Sequence, residues 1–503
     1  MAGAEPETKV DRSAGAGVLI AACVSALVVN ANTSAVTILL PAISEDVGAP
    51  LSVLQWAVTG YMLVGAAVIV TSGALGDILG RRRVFVGGLI LFVASCVLIA
   101  LSTGSTGIIA GRMIQGAAGA TILACGMSLL SAGSSGTGQM RAITLWGAAS
   151  AVGAGIGPLV GGLLVGTTGW QGLFWIDAVI AAACLPVTLL AVAESRRSGG
   201  PRSIDFLGTI LIAVALVPLV LALSEGGDWG WISVPTISCL VIAVLGAAGF
   251  VAVEGRVKAP LVDLRLLRNR ILVGSTIAIL LVAGAINALM YLLSLYFQDP
   301  AGFGMSAFEA GLATLPAAAA MIAITPLITP LAVRIGSRYA VAVGFGLGAL
   351  GAAALVFVTS SWAYAAFVLP LVAIAVGLGL ANGPASSAST ASVPADDVGQ
   401  ASGISNMARY VGGSLAVAAA ASVYEAVTSS HRAAGDSAAD ALAAGFSRGA
   451  LLLALMSAGG ITLALLMGRH RVEKADGLQR AAAAAAATSH TLPIPAAAGP
   501  TRP

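Results

Sequence analysis

The chain has 503 residues, 58% of them hydrophobic and only 9% charged, with a formal net charge of +3 and a mean hydropathy of +0.97. Soluble domains carry about a quarter charged residues, so the composition argues against a soluble enzyme. The small net charge gives no reason to expect a nucleic-acid partner. It reads as a membrane protein.

Apolar runs of roughly 18 to 25 residues recur along the chain, each long enough to cross about 30 Å of hydrocarbon as a helix. Fourteen are read, near 16–41, 52–73, 83–103, 107–133, 142–166, 172–194, 206–224, 231–253, 271–297, 308–331, 339–359, 362–383, 402–427 and 446–468. The alternating segments of about ten residues that a barrel needs are not found. Residues 1–15 lack a cleavable signal pattern, so the first span is expected to be its own insertion signal. Cys23, Cys96, Cys125, Cys184 and Cys239 all fall in apolar runs with no paired spacing, and are read as buried free thiols.

Lysines and arginines mark the cytoplasmic side of a membrane protein. With the N-terminus inside, nearly all of the 25 fall in inside segments, including Lys9, Arg12, Arg81 to Arg83, Arg141, Arg196, Arg197, Arg202 and the loop "GRVKAPLVDLRLLRNR" (255–270). Arg432 and Arg448 lie outside, and Arg112 and Arg409 lie within spans. Both termini are therefore expected in the cytoplasm.

The expected organisation is an N-terminal segment (1–15), a six-helix half (16–194), two extra helices with a basic loop (195–270), a second six-helix half (271–468) and a disordered cytoplasmic tail (469–503) rich in Ala and Pro. "GDILGRRR" after span 2 and "VRIGSR" (333–338) after span 10 occupy equivalent positions, a hint of the internal repeats that transporters carry. The outside loop 431–449 reads as a short helix at the membrane surface.

In "GALGDILGRRRVF" (73–85), Gly80 gives a short inside turn its backbone freedom. Gly73 and Gly76 are expected to let another helix approach the end of span 2. Asp77 either pairs with an arginine or a helix N-terminus, or is a solvated loop acid. In "GAGIGPLVGG" (153–162), Gly153, Gly157 and Gly161 share one helix face and permit close packing, while Pro158 bends the helix.

Ionisable groups inside a membrane are costly and so functional by default. Arg112 in span 4 and Asp177 in span 6 lie at similar depth. A buried carboxyl is pushed toward neutrality by desolvation and toward ionisation by a nearby cation, a balance suited to loading and releasing a proton. Glu309 and Glu425 read as interfacial acids, and His431, His470 and His490 lie outside the spans, which leaves no histidine relay. Trp56, Tyr61, Gln115, Asn287, Tyr291, Asn382, Asn406 and Arg409 are the groups expected to face a central cavity, or else to serve helix packing.

"GALGDILGRRR" resembles the G-x-L-a-D-r-x-G-r-k loop of the major facilitator superfamily. "QWAVTGYML" (55–63), "GRMIQGAAGA" (111–120), "LLSLYFQ" (292–298), "AGLATLPAAAAM" (310–321) and "GQASGISNMARYVGGSLAVA" (399–418) look like its fourteen-span drug:proton antiporter branch, and the likeness runs from about 16 to 468. That resemblance implies an all-α membrane fold of two six-helix halves plus two extra helices. It implies a gate at Gly73, Asp77, Gly80, Arg81 and Arg82, and proton coupling at Arg112, Gln115 and the acid near them. It makes Gly153, Gly157, Pro158, Gly161 and Gly162 the antiporter motif of exporters.

One departure stands out: many relatives carry an acid in span 1, where "ANTSAVTILLP" (31–41) has Asn32, and have Asn where Asp177 stands. Asn32 cannot titrate, so the titrating acid is expected to have moved to span 6, although superfamily architecture usually places that span at the periphery. The implied function is proton-driven efflux of an amphipathic drug or antibiotic across the cell membrane by alternating access, conferring resistance or self-resistance. The Ala-, Gly- and Arg-rich composition looks actinobacterial. Export of a lipid or another metabolite, with different or no proton coupling, is the alternative that the missing acid keeps open. An enzyme is not expected, since no P-loop, HExxH or metal-ligand cluster is found. The expected partners are a small amphipathic molecule, protons and the bilayer, with no cofactor and a monomeric chain.

Overall fold

A computed structural model describes residues 12–132, 136–195, 205–257, 260, 262–394 and 397–466. Among them, fourteen helices are long and apolar enough to cross a membrane. They are α1 (Arg12–Val47), α2 (Trp56–Leu79, entered through the turn Leu51–Leu54), α3 (Arg81–Ala100), α4 (Ser105–Ala132), α5 (Gly136–Thr168), α6 (Gln171–Ala191), α7 (Phe206–Trp229), α8 (Val234–Glu254), α9 (Arg270–Gln298), α10 (Ala307–Ile335), α11 (Ser337–Leu355), α12 (Tyr364–Ala391), α13 (Val398–Ala433) and α14 (Ala438–Leu466). No strand occurs among the described residues. The expected tail, Lys9, Arg196, Arg197 and Arg202 lie outside them.

The helix ends follow from local chemistry. Asp205 caps α7 by accepting from the Gly208 amide at 2.6 Å, and Asn269 caps α9 from the Ile271 and Leu272 amides. Ser306 and Glu309 form a capping box at the start of α10, so Glu309 has a specific structural task beyond that of an interfacial acid. Gly80, at φ 113°, ends α2 and starts α3; Gly336, at φ 87°, does the same between α10 and α11. A side chain is strained at either φ, so the two "repeat" loops share a glycine-dependent turn.

One expectation is corrected. Residues 431–449 form no surface helix, because α13 runs to Ala433 and α14 already begins at Ala438. His431 is thereby the last-turn residue of α13, paired with Asp436 at 2.6 Å. The cause is burial: Phe446 is fully enclosed, its ring centroid 4.9 Å from Tyr296 and 5.7 Å from Phe367. That aromatic cluster draws the stretch into the bundle. Of the five thiols, Cys96, Cys125 and Cys184 are buried, while Cys23 and Cys239 are only half-buried.

The same pairings occur twice. Helix α1 packs on α4, α5 and α6, as α9 packs on α12, α13 and α14; α4 packs on α2 and α3, as α12 packs on α10 and α11; and α3 meets α6 as α11 meets α14. The two sets join through α5 with α10, α2 with α13, and α1 with α9. Helices α7 and α8 pair with each other, and α7 lies against α2 and α13. There Leu63, Ala66, Leu216, Val220 and Ala418 form a buried cluster, and Thr71 and Thr209 share a 2.6 Å hydrogen bond.

Candidate functional site

The site is built by a glycine seam. Along α5, a Cβ at Gly153 would overlap the Leu27 carbonyl oxygen, and one at Gly157 the Ala31 carbonyl oxygen and Ser34 Oγ. A Cβ at Gly161 would lie 3.0 Å from that of Ala35. The matched spacing of four on both helices sets ridge into groove and lets the backbones touch. Pro158 and Gly162 belong to a different contact. They face α10, where the Pro158 carbonyl abuts Gly311 and Gly162 abuts Ala307.

With α1 so fixed, Asn32, next to Ala31, points into the bundle. Arg112, fully buried, donates from Nε to the Ala57 carbonyl at 2.9 Å and from Nη1 to Asn32 Oδ1 and Gln115 Oε1, both at 2.5 Å. Asn32 Nδ2 donates to Asp177 Oδ2 at 2.6 Å. Gln115 Nε2 continues the chain to Cys96 Sγ at 3.0 Å. The guanidinium lies over the Tyr61 ring, 4.2 Å from its centroid. Gly116 permits this, since a Cβ there would overlap the Tyr61 carbonyl oxygen.

The four residues singled out on α1, α4 and α6 are thus joined, with Asn32 between the cation and the acid. Helix α6 is peripheral, as Val179 and Leu190 are 67% and 88% exposed, yet Asp177 is turned inward at 4%. Arginine only donates, so the amide must present its oxygen to Arg112 and its nitrogen to Asp177. A carboxamide carries no proton between them. It transmits orientation and charge.

In the loop between α2 and α3, Asp77 Oδ1 pairs with Arg81 at 2.9 Å, and Arg81 Nη1 donates to the Ser128 carbonyl of α4. The Arg82 amide donates to Glu194 Oε1, its Nη1 to the Val192 carbonyl, and Arg83 reaches Glu194 Oε2 at 3.7 Å. Glu194, just past α6, was not picked out in the sequence; an acid beside an arginine-rich inside loop was the available signal. Gly76 approaches Cys125 Sγ of α4 at 3.2 Å for an added Cβ, but a Cβ at Gly73 meets nothing within 4 Å. The expected close approach at Gly73 is therefore absent: no neighbouring helix comes within reach of a Cβ there, whereas one turn further on α4 meets Gly76.

The expected cavity residues separate. Trp56 packs on the α2–α7–α13 cluster instead, because α7 covers that face of α2. Tyr291 is buried in the main core. Asn287 donates to the Ala283 carbonyl and lies 3.3 Å from a Cβ built at Gly413, and Asn406 donates to the Ser402 carbonyl. Arg409 is held on α12, donating from Nη1 to Asn382 Oδ1 at 2.8 Å and from Nη2 to Ser386 Oγ at 2.7 Å.

Three features escaped sequence reasoning. A Cβ at Gly412 would overlap the Leu280 carbonyl oxygen of α9, so α13 has its own counterpart of the α5 seam. Ser294 of α9 donates at 2.7 Å to the Thr37 carbonyl, whose ordinary helical partner would be the amide that Pro41 lacks. Gln298 donates to the Ile38 carbonyl at 3.0 Å. These bonds seal α1 to α9 at the end opposite the arginine-rich loops.

Fourteen apolar helices among the described residues, twelve of them in two matching sets of six, define the class, a multi-pass transport protein of the cell membrane. Residues 22–417 match the Major Facilitator Superfamily, and the chain belongs to that family. It is 32% identical over 414 residues to the tetracenomycin C resistance and export protein of Streptomyces glaucescens, covering 80% of this chain and 74% of that protein. It is 31% identical over 408 residues to the cephamycin export protein CmcT of Amycolatopsis lactamdurans, covering 80% and 83%. Among solved structures, a bacterial homologue of the human lysosomal transporter Spinster, inward-facing and unoccupied, aligns with a TM-score of 0.62 at 15% identity over 92% of this chain and 98% of that one. The last likeness concerns the fold alone.

Proposed function

We propose that the protein exports an amphipathic drug or antibiotic, conferring resistance or self-resistance, in exchange for protons by alternating access. The names of its relatives support the substrate class. The observation that carries the mechanism is the enclosed Arg112–Asn32–Asp177 chain. Asp177 carries the proton. Its protonation removes the anion that holds Asn32, and the carboxyl gains a donor. Asn32 then turns its oxygen toward Asp177, and Arg112 loses one acceptor.

In this reading the chain divides into 1–15, the halves 16–194 and 271–468, the extra pair with its basic loop (195–270), and a tail (469–503), acting as a monomer with both termini cytoplasmic. The α5 seam with Pro158 and Gly162 carries the movement of α1 against α10. The α1–α9 seal supports a state open toward the arginine-rich end. The Asp77 loop is a latch of the opposite state, and in the present one it is tied to α4 and α6.

Expression in a sensitive host across an antibiotic panel tests the reading: raised resistance to at least one amphipathic compound, lost when the proton gradient is dissipated, is expected. Efflux that persists without the gradient would remove proton drive and favour the metabolite exporter without coupling. Replacement of Asp77 by Asn discards a partly exposed ion pair, a contact worth up to about 1 kcal/mol. It is expected to lower turnover by no more than about fivefold with the rank order of exported compounds unchanged. An altered rank order would exclude the latch role.

A further inference from the structure

The two guanidiniums inside the bundle are treated differently. Arg112 has an acid at the far side of Asn32, whereas Arg409 forms no ion pair among the described residues. Its two partners, Asn382 Oδ1 and Ser386 Oγ, are neutral. They fix the guanidinium plane and leave three of its five N–H groups for something else. Ser386 is itself oriented, donating to the Asn382 carbonyl at 2.8 Å.

The position also matters. Arg409 stands eleven residues into α13, about 16 Å from its start at 1.5 Å per residue. The next residue, Tyr410, lies against Gly65 of α2 and has its ring 6.4 Å from that of Tyr61. Arg409 therefore sits beside the α2–α13 seam where the two helix sets meet, and through Tyr410 and Tyr61 its neighbourhood reaches the Arg112 network. A cation at such depth without a counter-ion is expensive unless a ligand or water meets it.

We propose that Arg409, oriented by Asn382 and Ser386, is the subsite for a negatively charged group on the exported molecule, so that the preferred substrates are amphipathic anions. This rests on the export reading but goes beyond it by naming the charge. An anion leaving a negative interior while a proton enters would draw on the membrane potential twice.

The test uses the purified full-length chain in phosphatidylcholine nanodiscs, with the signal of empty discs subtracted. Anilinonaphthalene sulfonate and N-phenylnaphthylamine share one aromatic system and differ by the sulfonate. The wild-type protein is expected to bind the sulfonate at least tenfold more tightly than the neutral amine. Arg409→Gln should erase that preference with the affinity for the amine unchanged, and Arg409→Lys should keep part of it. Equal binding of both dyes by the wild type, no binding of the sulfonate, or an equal loss for both in Arg409→Gln would overturn the subsite. A parallel loss of both dyes in Arg409→Lys would mark Arg409 as structural and equally overturn it. Because binding is read without transport, a protein that prefers the anion but exports nothing would refute the export reading and leave the subsite standing.

Discussion

Asp177→Asn, reconstituted in proteoliposomes, is expected to bind substrate yet release no protons on substrate addition. For a neutral molecule exchanged against one proton, about 100 mV of potential supplies about 2.3 kcal/mol, or a gradient of roughly 50-fold. The variant should let such a neutral substrate only equilibrate, whereas an anionic one would still follow the membrane potential. The reason lies in the chain of bonds: Asp177 is the acid of the network, and Asn32 and Gln115 cannot titrate. Unchanged proton release would place the coupling acid elsewhere. The double variant Asn32→Asp with Asp177→Asn returns the carboxyl to the other side of the same 2.6 Å contact. It is expected to recover coupling, whereas Asn32→Asp alone would set two carboxyls together and force them to share a proton.

The second large effect is structural. Gly157→Leu places a side chain where the Ala31 carbonyl oxygen and Ser34 Oγ already are, and α1 must move away. Overpacking of this kind costs about 1–3 kcal/mol, and it also displaces Asn32 from Arg112 and Asp177. A lower melting temperature in detergent and transport reduced more than about tenfold are expected together. Gly166→Leu on the same helix is the control, since nothing lies within 4 Å of a Cβ there. If both variants melt alike, the seam does not hold α1.

The Tyr61–Tyr410 contact gives the Asp177 network and the anion subsite a common setting. Tyr61 underlies Arg112 and approaches Tyr410, so a change of charge at Asp177 and a ligand at Arg409 act on neighbouring parts of the α2–α13 seam. Coupling between them needs no long path.

Much of the fold was legible in order along the chain. Spans were readable because every backbone polar group in lipid must be satisfied within its own helix, which forces long apolar runs. The glycines of 153–161 announced a packed face because their spacing is a property of one helix. Gly80 announced a turn for the same local reason. The sequence also raised Arg112 and Asp177, since charge within an apolar run is conspicuous wherever it folds.

What only the tertiary structure decided is how these elements meet. Nothing in residues 31–41 states that Asn32 will stand between Arg112 and Asp177, or that the carbonyl freed by Pro41 will be taken by Ser294, more than 250 positions away. Trp56 and Arg409 looked alike as polar or aromatic candidates, and packing sent one to the α7 cluster and the other to a bed of neutral acceptors. Helical periodicity fixes which residues share a face, but the face's neighbour depends on the summed packing of all the helices. The polar network, the seal and the neutral bed of Arg409 exist only at those crossings.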